Sequence, residues 1–231
     1  MKLLFFDMEF ANGQVGGSIF SFGYLVTDEN MNVLTPPTDL CINPECEWNT
    51  YVKENILAYP IEEVESAPAF PALYDEIKAL FEQCDVAVGF AVSNDVRALK
   101  RDCVRYELEA FSYRYFDVER LCRLQELHTE AHGLGGYFNA WCGGVAANRH
   151  RSDGDAYATM LLLQAICRHH HVSADMMIEA YPECAGDALS PLKETSAPKA
   201  PKKKKKRRWY RRKPKGKGET NASPSKETAA T

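Results

Sequence analysis

Lys2-Leu3-Leu4-Phe5-Phe6-Asp7-Met8-Glu9-Phe10 is an apolar run with two carboxylates set into it. It reads as a buried strand, because a strand covered on both faces needs no polar alternation. Side chains two apart on a strand share a face, so Asp7 and Glu9 are aimed together. Two ionised acids held that close repel, which raises the pKa of at least one or recruits a cation. A hard divalent ion such as Mg²⁺ or Mn²⁺ suits oxygen ligands of this kind. The alternative is a strand end that reaches solvent, where both acids are simply hydrated.

Outward from this strand, residues 12–17 form a glycine-rich loop, and the β-prone run Ser18 to Thr27 follows. Asp28-Glu29-Asn30 turns the chain into an irregular strand that passes Pro36-Pro37 and ends at Leu40-Cys41-Ile42, so the first three strands are expected as an antiparallel meander. Residues 43–68 carry no clear pattern beyond a short helix within Tyr51 to Tyr59. The spacing Phe70, Leu73, Ile77, Leu80, Phe81 predicts a helix ending near Cys84. Val86 to Val92 is a short apolar strand, and Ser93-Asn94-Asp95 has helix-start chemistry before the stripe Val96, Leu99, Cys103, Tyr106. A strand over Phe111 to Phe116 and helices over Val118 to Leu127, Leu134 to Trp141, Asp153 to Arg168 and Ala174 to Tyr181 complete the pattern. Three strands followed by alternating helices and single strands predict an α/β fold, a mixed five-stranded sheet flanked by helices.

With 45% hydrophobic and 11% aromatic residues, 231 residues suffice for one sizeable core. No apolar run approaches the roughly 20 residues needed to span a bilayer. The opening run lacks a cleavage site and leads straight into Asp7, so a cytoplasmic location is expected. The eight cysteines include no Cys-x-x-Cys pair and read as reduced thiols. Cys41 and Cys46 with the run His169-His170-His171 fit no zinc-ligand spacing well, and histidines at a helix end sit favourably against the helix dipole. The net charge of −4 conceals a segregation: residues 1–198 hold 14 Lys and Arg against 30 Asp and Glu, a net of −16. Lys199 to Lys217 holds 13 basic residues and no acid. A domain over residues 1–188 and a disordered basic tail over 189–231 are expected, because the tail lacks the apolar periodicity needed to form a core.

Acids at element boundaries recur. Asp7 and Glu9 lie on a strand, Asp95 at a helix start after a strand, and Asp155 in the first turn of a helix; open α/β sheets place their sites at such ends. Four carboxylates can serve a pair of divalent ions of the kind used in phosphoryl chemistry. His150 lies on the loop entering the last of these helices, where an imidazole can take a proton from water. The structural alternatives are a capping box between Ser152 and Asp155, and an exposed loop residue for His150.

Phe6-Asp7-Met8-Glu9, then Val88-Gly89-Phe90-Ala91-Val92-Ser93-Asn94-Asp95-Val96-Arg97-Ala98-Leu99, then His150-Arg151-Ser152-Asp153-Gly154-Asp155-Ala156-Tyr157-Ala158-Thr159 together resemble the three motifs of the DEDDh exonuclease family. The family includes DNA polymerase III proofreading subunits, ribonuclease T and oligoribonuclease. The resemblance covers roughly Lys2 to Arg168. It implies a ribonuclease-H-like fold, with Asp7, Glu9, Asp95 and Asp155 binding two divalent cations (Mg²⁺ or Mn²⁺) and His150 as general base. Asp153 is a neighbouring decoy, since the family spacing of His, four residues, then Asp selects Asp155. Phe10 stands where many members have Thr, and either stacks on a base or belongs to the core. Met8, Phe10 and Asn94 are the implied substrate-binding positions, and Asn94 before Asp95 leans toward the RNA exonucleases.

The implied reaction is 3′→5′ phosphodiester hydrolysis of single-stranded RNA or DNA 3′ ends to nucleoside 5′-monophosphates, RNA being favoured. DNA proofreading or repair is one alternative, and a catalytically inactive RNA- or ribosome-binding adaptor is another. Within the tail, Lys204, Arg207, Arg208, Arg211 and Arg212 supply charge for a polyanion such as ribosomal RNA, and Trp209 and Tyr210 supply stacking faces.

Overall fold

β1 (Lys2–Phe10) sits near the middle of the sheet and organises everything around it. The computed structural model describes residues 1–13, 17–125, 127–146 and 150–190. β2 (Ile19–Asp28) and β3 (Val33–Cys41) complete the antiparallel meander. Two short helices follow, α1 (Thr50–Asn55) and α2 (Ile61–Ser66), then α3 (Phe70–Glu82). β4 (Val86–Gly89) pairs parallel to β1, α4 (Ser93–Arg105) returns the chain, and β5 (Arg114–Asp117) pairs parallel to β4. α5 (Val118–Leu124), α6 (Gly133–Cys142), α7 (Ser152–His170) and α8 (Ala174–Ala180) precede a last strand, β6 (Ala185–Asp187). The sheet order is β3-β2-β1-β4-β5-β6. The mixed, helix-flanked α/β sheet is as expected, with a sixth strand beyond the five. β6 escapes a pattern reading because its three residues, Ala-Gly-Asp, have no alternation to detect.

β1 is apolar on both faces because both are covered. Leu3 and Phe5 point into a core built with α5, α6, α7 and α8, and Leu4, Phe6 and Met8 point into an aromatic core beneath α3 and α4. Period-2 alternation then sends Asp7 and Glu9 to the α7 face and Met8 and Phe10 to the α4 face. Fully burying a Phe or Leu contributes about 1.5–3 kcal/mol, so slipping β1 by one residue would turn both carboxylates into the aromatic core beneath α3 and α4 and is strongly disfavoured.

Two local expectations change. Ser93 does not cap α4: the cap position is Val92, and no side chain bonds the free amides there. Residues 43–68 hold two short helices rather than one; α1 is capped by Asn49, whose Oδ1 accepts from the amides of Tyr51 and Val52 at 2.9 and 3.4 Å. All eight cysteines are free, and among the described residues neither Cys41 and Cys46 nor the histidine run takes part in a metal-type cluster. No helix among the described residues is long and apolar enough to cross a membrane. The tail residues Lys204, Arg207, Arg208, Trp209, Tyr210, Arg211 and Arg212 lie outside the described residues.

Candidate active site

Two close approaches assemble the site. Asp7 pairs across the sheet with Gly23 of β2, and a Cβ on Gly23 would overlap the Ser152 carbonyl carbon and the Asp153 amide. The absence of a side chain there lets the first turn of α7 lie directly on β2. Next to Gly23, Ser21 pairs with Glu9, and its hydroxyl lies 2.6 Å from Ser152 Oγ and donates to Asp39 Oδ1 at 2.8 Å. Ser21 and Ser152 are completely buried. This chain of bonds ties β3, β2 and the start of α7 together behind Glu9.

Ser152 is therefore used in bracing α7 rather than in a capping box with Asp155. Among Glu9, His150 and Asp155, one ligand atom from each lies within 4.8 Å of those of the other two. His150 has a left-handed backbone, φ 64, and its amide donates to Asp155 Oδ2 at 3.2 Å. Asp153 has other partners: its Oδ1 accepts from Arg151 Nε at 3.2 Å and from the Gly154 amide at 2.9 Å. Arg151 in turn lies over the Tyr59 ring at 5.0 Å.

Asp95 reaches the cluster from α4. Its carboxylate is buried and accepts the Met8 amide, which joins the start of α4 to β1. The turn before α4 is held by Asp117, whose Oδ1 accepts from the Ala91 amide at 3.1 Å and also caps α5. Ala91 is left-handed there, φ 56. A β-bulge between Glu9 and Phe10 bends β1 where it leaves the site.

The electrostatics follow from crowding. Burial first, then the charges of Asp95, Glu9, Asp155 and Asp39, push the Asp7 carboxyl well above its ordinary range. Burial and then Asp155 and Asp39 push Glu9 up to about 8. Asp95 is raised well above its usual value by burial, with Glu9 adding to it, and Asp39 rises to about 6, mainly through burial. The charged groups acting most strongly on Asp7 are all carboxylates. Such a set, with an imidazole at its edge, is a donor set for hard divalent cations, which would reverse the local field. The residues present thus fit the expected metals, with Asp7, Glu9, Asp95 and Asp155 as the side chains able to hold them.

The remaining candidates divide. Asn94 is exposed and Phe10 half-buried, and both line a cleft of about 340 Å³ on the α4 side. Met8 lies in the aromatic core, its side chain 3% exposed, and its amide is bonded to the Asp95 carboxylate. A second cleft of about 340 Å³ borders His150 and Asp155 and is walled by Gly133, Gly135 and Gly136 of α6. Sequence reasoning missed Asp39, Ser21 and Ser152. The only signal for Asp39 was an acid two residues after Pro36-Pro37 in an irregular strand, and that says nothing about which carboxylate it faces.

No family model and no curated protein sequence matches the chain. Solved structures do. The cell-death related nuclease CRN-4 is similar at 12% identity and a TM-score of 0.62, over 75% of this chain and 65% of that one. The zinc-bound E. coli exonuclease I complex with single-stranded DNA is similar at 16% identity and a TM-score of 0.66, over 77% of this chain and 43% of that one. The nuclease domain of 3′hExo, a DEDDh family member bound to rAMP, is similar at 10% identity and a TM-score of 0.62, over 73% of this chain and 92% of that one. The chain spans less than two thirds of the first two proteins. Strand order and these likenesses agree: the chain has the fold of the DEDDh-type 3′-exonucleases.

Proposed function

We propose that this protein is a metal-dependent 3′→5′ exonuclease acting on single-stranded nucleic acid, RNA in preference to DNA, and releasing nucleoside 5′-monophosphates. The observation that carries the reading is the meeting of Glu9, His150 and Asp155 within 4.8 Å from two distant parts of the chain, beside the mutually repelling Asp7 and Asp95. The fold neighbours support it, one bound to single-stranded DNA and one to rAMP. RNA is favoured because the Asn94-Asp95 pair resembles the second motif of the family's RNA exonucleases.

Two divalent cations held by Asp7, Glu9, Asp95 and Asp155 would supply charge stabilisation for the attacking and leaving oxygens of an in-line displacement. His150 takes a proton from the attacking water as the new P–O bond forms and the bond to the 3′ oxygen breaks, and solvent protonates the departing 3′ oxygen to give the 3′ hydroxyl. Asp155 accepts the His150 amide, so the main chain of the base is anchored to a residue of the carboxylate set. Ser21, Ser152 and Asp39 hold α7 on the sheet and so keep that spacing.

The test is a time course on 5′-labelled single-stranded RNA and DNA of one sequence, in Mn²⁺, Mg²⁺ or EDTA, with the wild type and Asp7→Ala. The expected result is a metal-dependent ladder shortening from the 3′ end, faster on RNA and absent in the variant. Faster cutting of DNA would turn the reading to proofreading or repair. Binding of RNA without cleavage under any metal would make the protein an adaptor.

A further inference from the structure

The outer side of α4 is basic within an acidic body. Residues 1–198 carry 30 acids against 14 bases, yet this one helix holds Arg97, Lys100, Arg101 and Arg105. Its two acids, Asp95 and Asp102, are 5% and 1% exposed, so neither lies on the surface beside those bases. Arg105 is occupied: its guanidinium donates to the carbonyls of Pro44 and Glu45 at 2.7 and 2.6 Å. Arg97, Lys100 and Arg101 are exposed, and among the described residues none of them forms an ion pair.

Arg97 and Arg101, one helical turn apart, share the cleft of about 340 Å³ with Phe10, Asn94, Gly17 and Ser18. The wall facing them is fixed. Asp102 Oδ2 accepts the amides of Ser18 and Ile19 at 3.2 and 3.1 Å. Gly17, at φ 73, packs so closely on the Asp102 carboxylate that a Cβ would overlap it. The cleft neighbours the candidate site along the chain: Asn94, which lines it, precedes Asp95, and Phe10, which also lines it, follows Glu9 where β1 leaves the sheet. At a rise of about 1.5 Å per residue, Arg97 and Arg101 stand about 4.5 and 10.5 Å along the helix from Asn94.

Resting on the exonuclease reading, we propose that this cleft is a phosphodiester track: Arg97 and Arg101 hold backbone phosphates of a single strand whose 3′ end lies at the carboxylates, over Phe10 as an apolar floor. A guanidinium grips phosphate oxygens through paired N–H donors, and backbone contacts of this kind are indifferent to sequence. The track also answers a problem of charge. A body of net −16 repels a polyanion, and a basic rail leading to the site supplies local attraction without neutralising the acids that bind cations.

The experiment measures KM, kcat and the salt dependence of kcat/KM for a 12-nucleotide single-stranded RNA in Mg²⁺, using the full chain. It compares the wild type, the Arg97→Gln/Arg101→Gln double variant and the charge-keeping Arg97→Lys/Arg101→Lys variant. In the Gln variant KM rises about tenfold, and the log–log salt slope shrinks by about 1.4, near 0.7 for each of two single-strand phosphates. The Lys variant keeps the slope. A wild type that cleaves while the Gln variant retains both KM and slope overturns the track and leaves the exonuclease standing. A wild type that does not cleave the RNA or its DNA counterpart overturns the underlying reading itself.

Discussion

Glu9 shows at the scale of one residue how this site exchanges stability for a charge set. Its carboxyl is raised from 4.5 to about 8 by burial and by Asp155 and Asp39, Asp39 rises to about 6, and Asp7 and Asp95 are raised well above their ordinary values. Each group is raised in the folded protein, so the fold favours its protonated form. The stability this contributes is present in full below the unfolded carboxyl values near 4 and is lost as pH climbs through the folded values to about 8. In EDTA the melting temperature is therefore expected to fall between about pH 5 and pH 8.5, and saturating Mn²⁺ to restore it most at the alkaline end. Asp7→Asn relieves the repulsion. It should raise the EDTA melting temperature at about pH 8 by about 2–4 °C for each kcal/mol recovered while removing cleavage. A melting temperature indifferent to pH and to Mn²⁺ would contradict this electrostatic account.

At the scale of elements, the seat of α7 on β2 governs the site. Gly23 faces Ser152 and Asp153 with no room for a side chain. Gly23→Ala should cost about 1–3 kcal/mol through overpacking, read from denaturant melts. Because the methyl group pushes α7 away from Glu9, kcat should fall further than stability alone explains, measured where the variant is fully folded. An alanine variant with wild-type kcat would show that the approach is not needed. These two glycine contacts and the serine pair were invisible in sequence, since nothing around Ser18 to Thr27 distinguishes Gly23 from a strand glycine at a bulge. The elements themselves were legible wherever periodicity was long: β1, α3, α4 and α7 appear near their expected places. Where the pattern was short or rested on capping alone, at α2, β6 and the start of α4, it misled or said nothing.

For the whole molecule the governing quantity is the split between an acidic body and a basic C-terminal segment. Removing residues 199–231 should weaken binding of long single-stranded RNA and flatten its salt dependence. If about six phosphates are contacted by the segment, the log–log slope should drop by roughly 4. The α4 track contributes its own smaller slope and survives the truncation. Fluorescence anisotropy across a salt series separates the two, and a slope unchanged on truncation would take the segment out of substrate binding.

By itself the sequence determined the strand-helix order, the pairing of Asp7 with Glu9 on one face, and the boundary positions of Asp95, His150 and Asp155. All of these depend on local periodicity and spacing, which a linear string contains. The choice of Asp155 over Asp153 rested on the resemblance to the DEDDh motif spacing. Only the tertiary structure decided that Met8 belongs to the core, that Asp39 crowds Glu9, that Ser21 and Ser152 brace the site, and that Arg97 and Arg101 border a cleft beginning at Asn94. Those facts depend on which strand lies beside which and how near a helix can come. Such distances arise from long-range packing around residues as small as Gly23, and no local pattern encodes them.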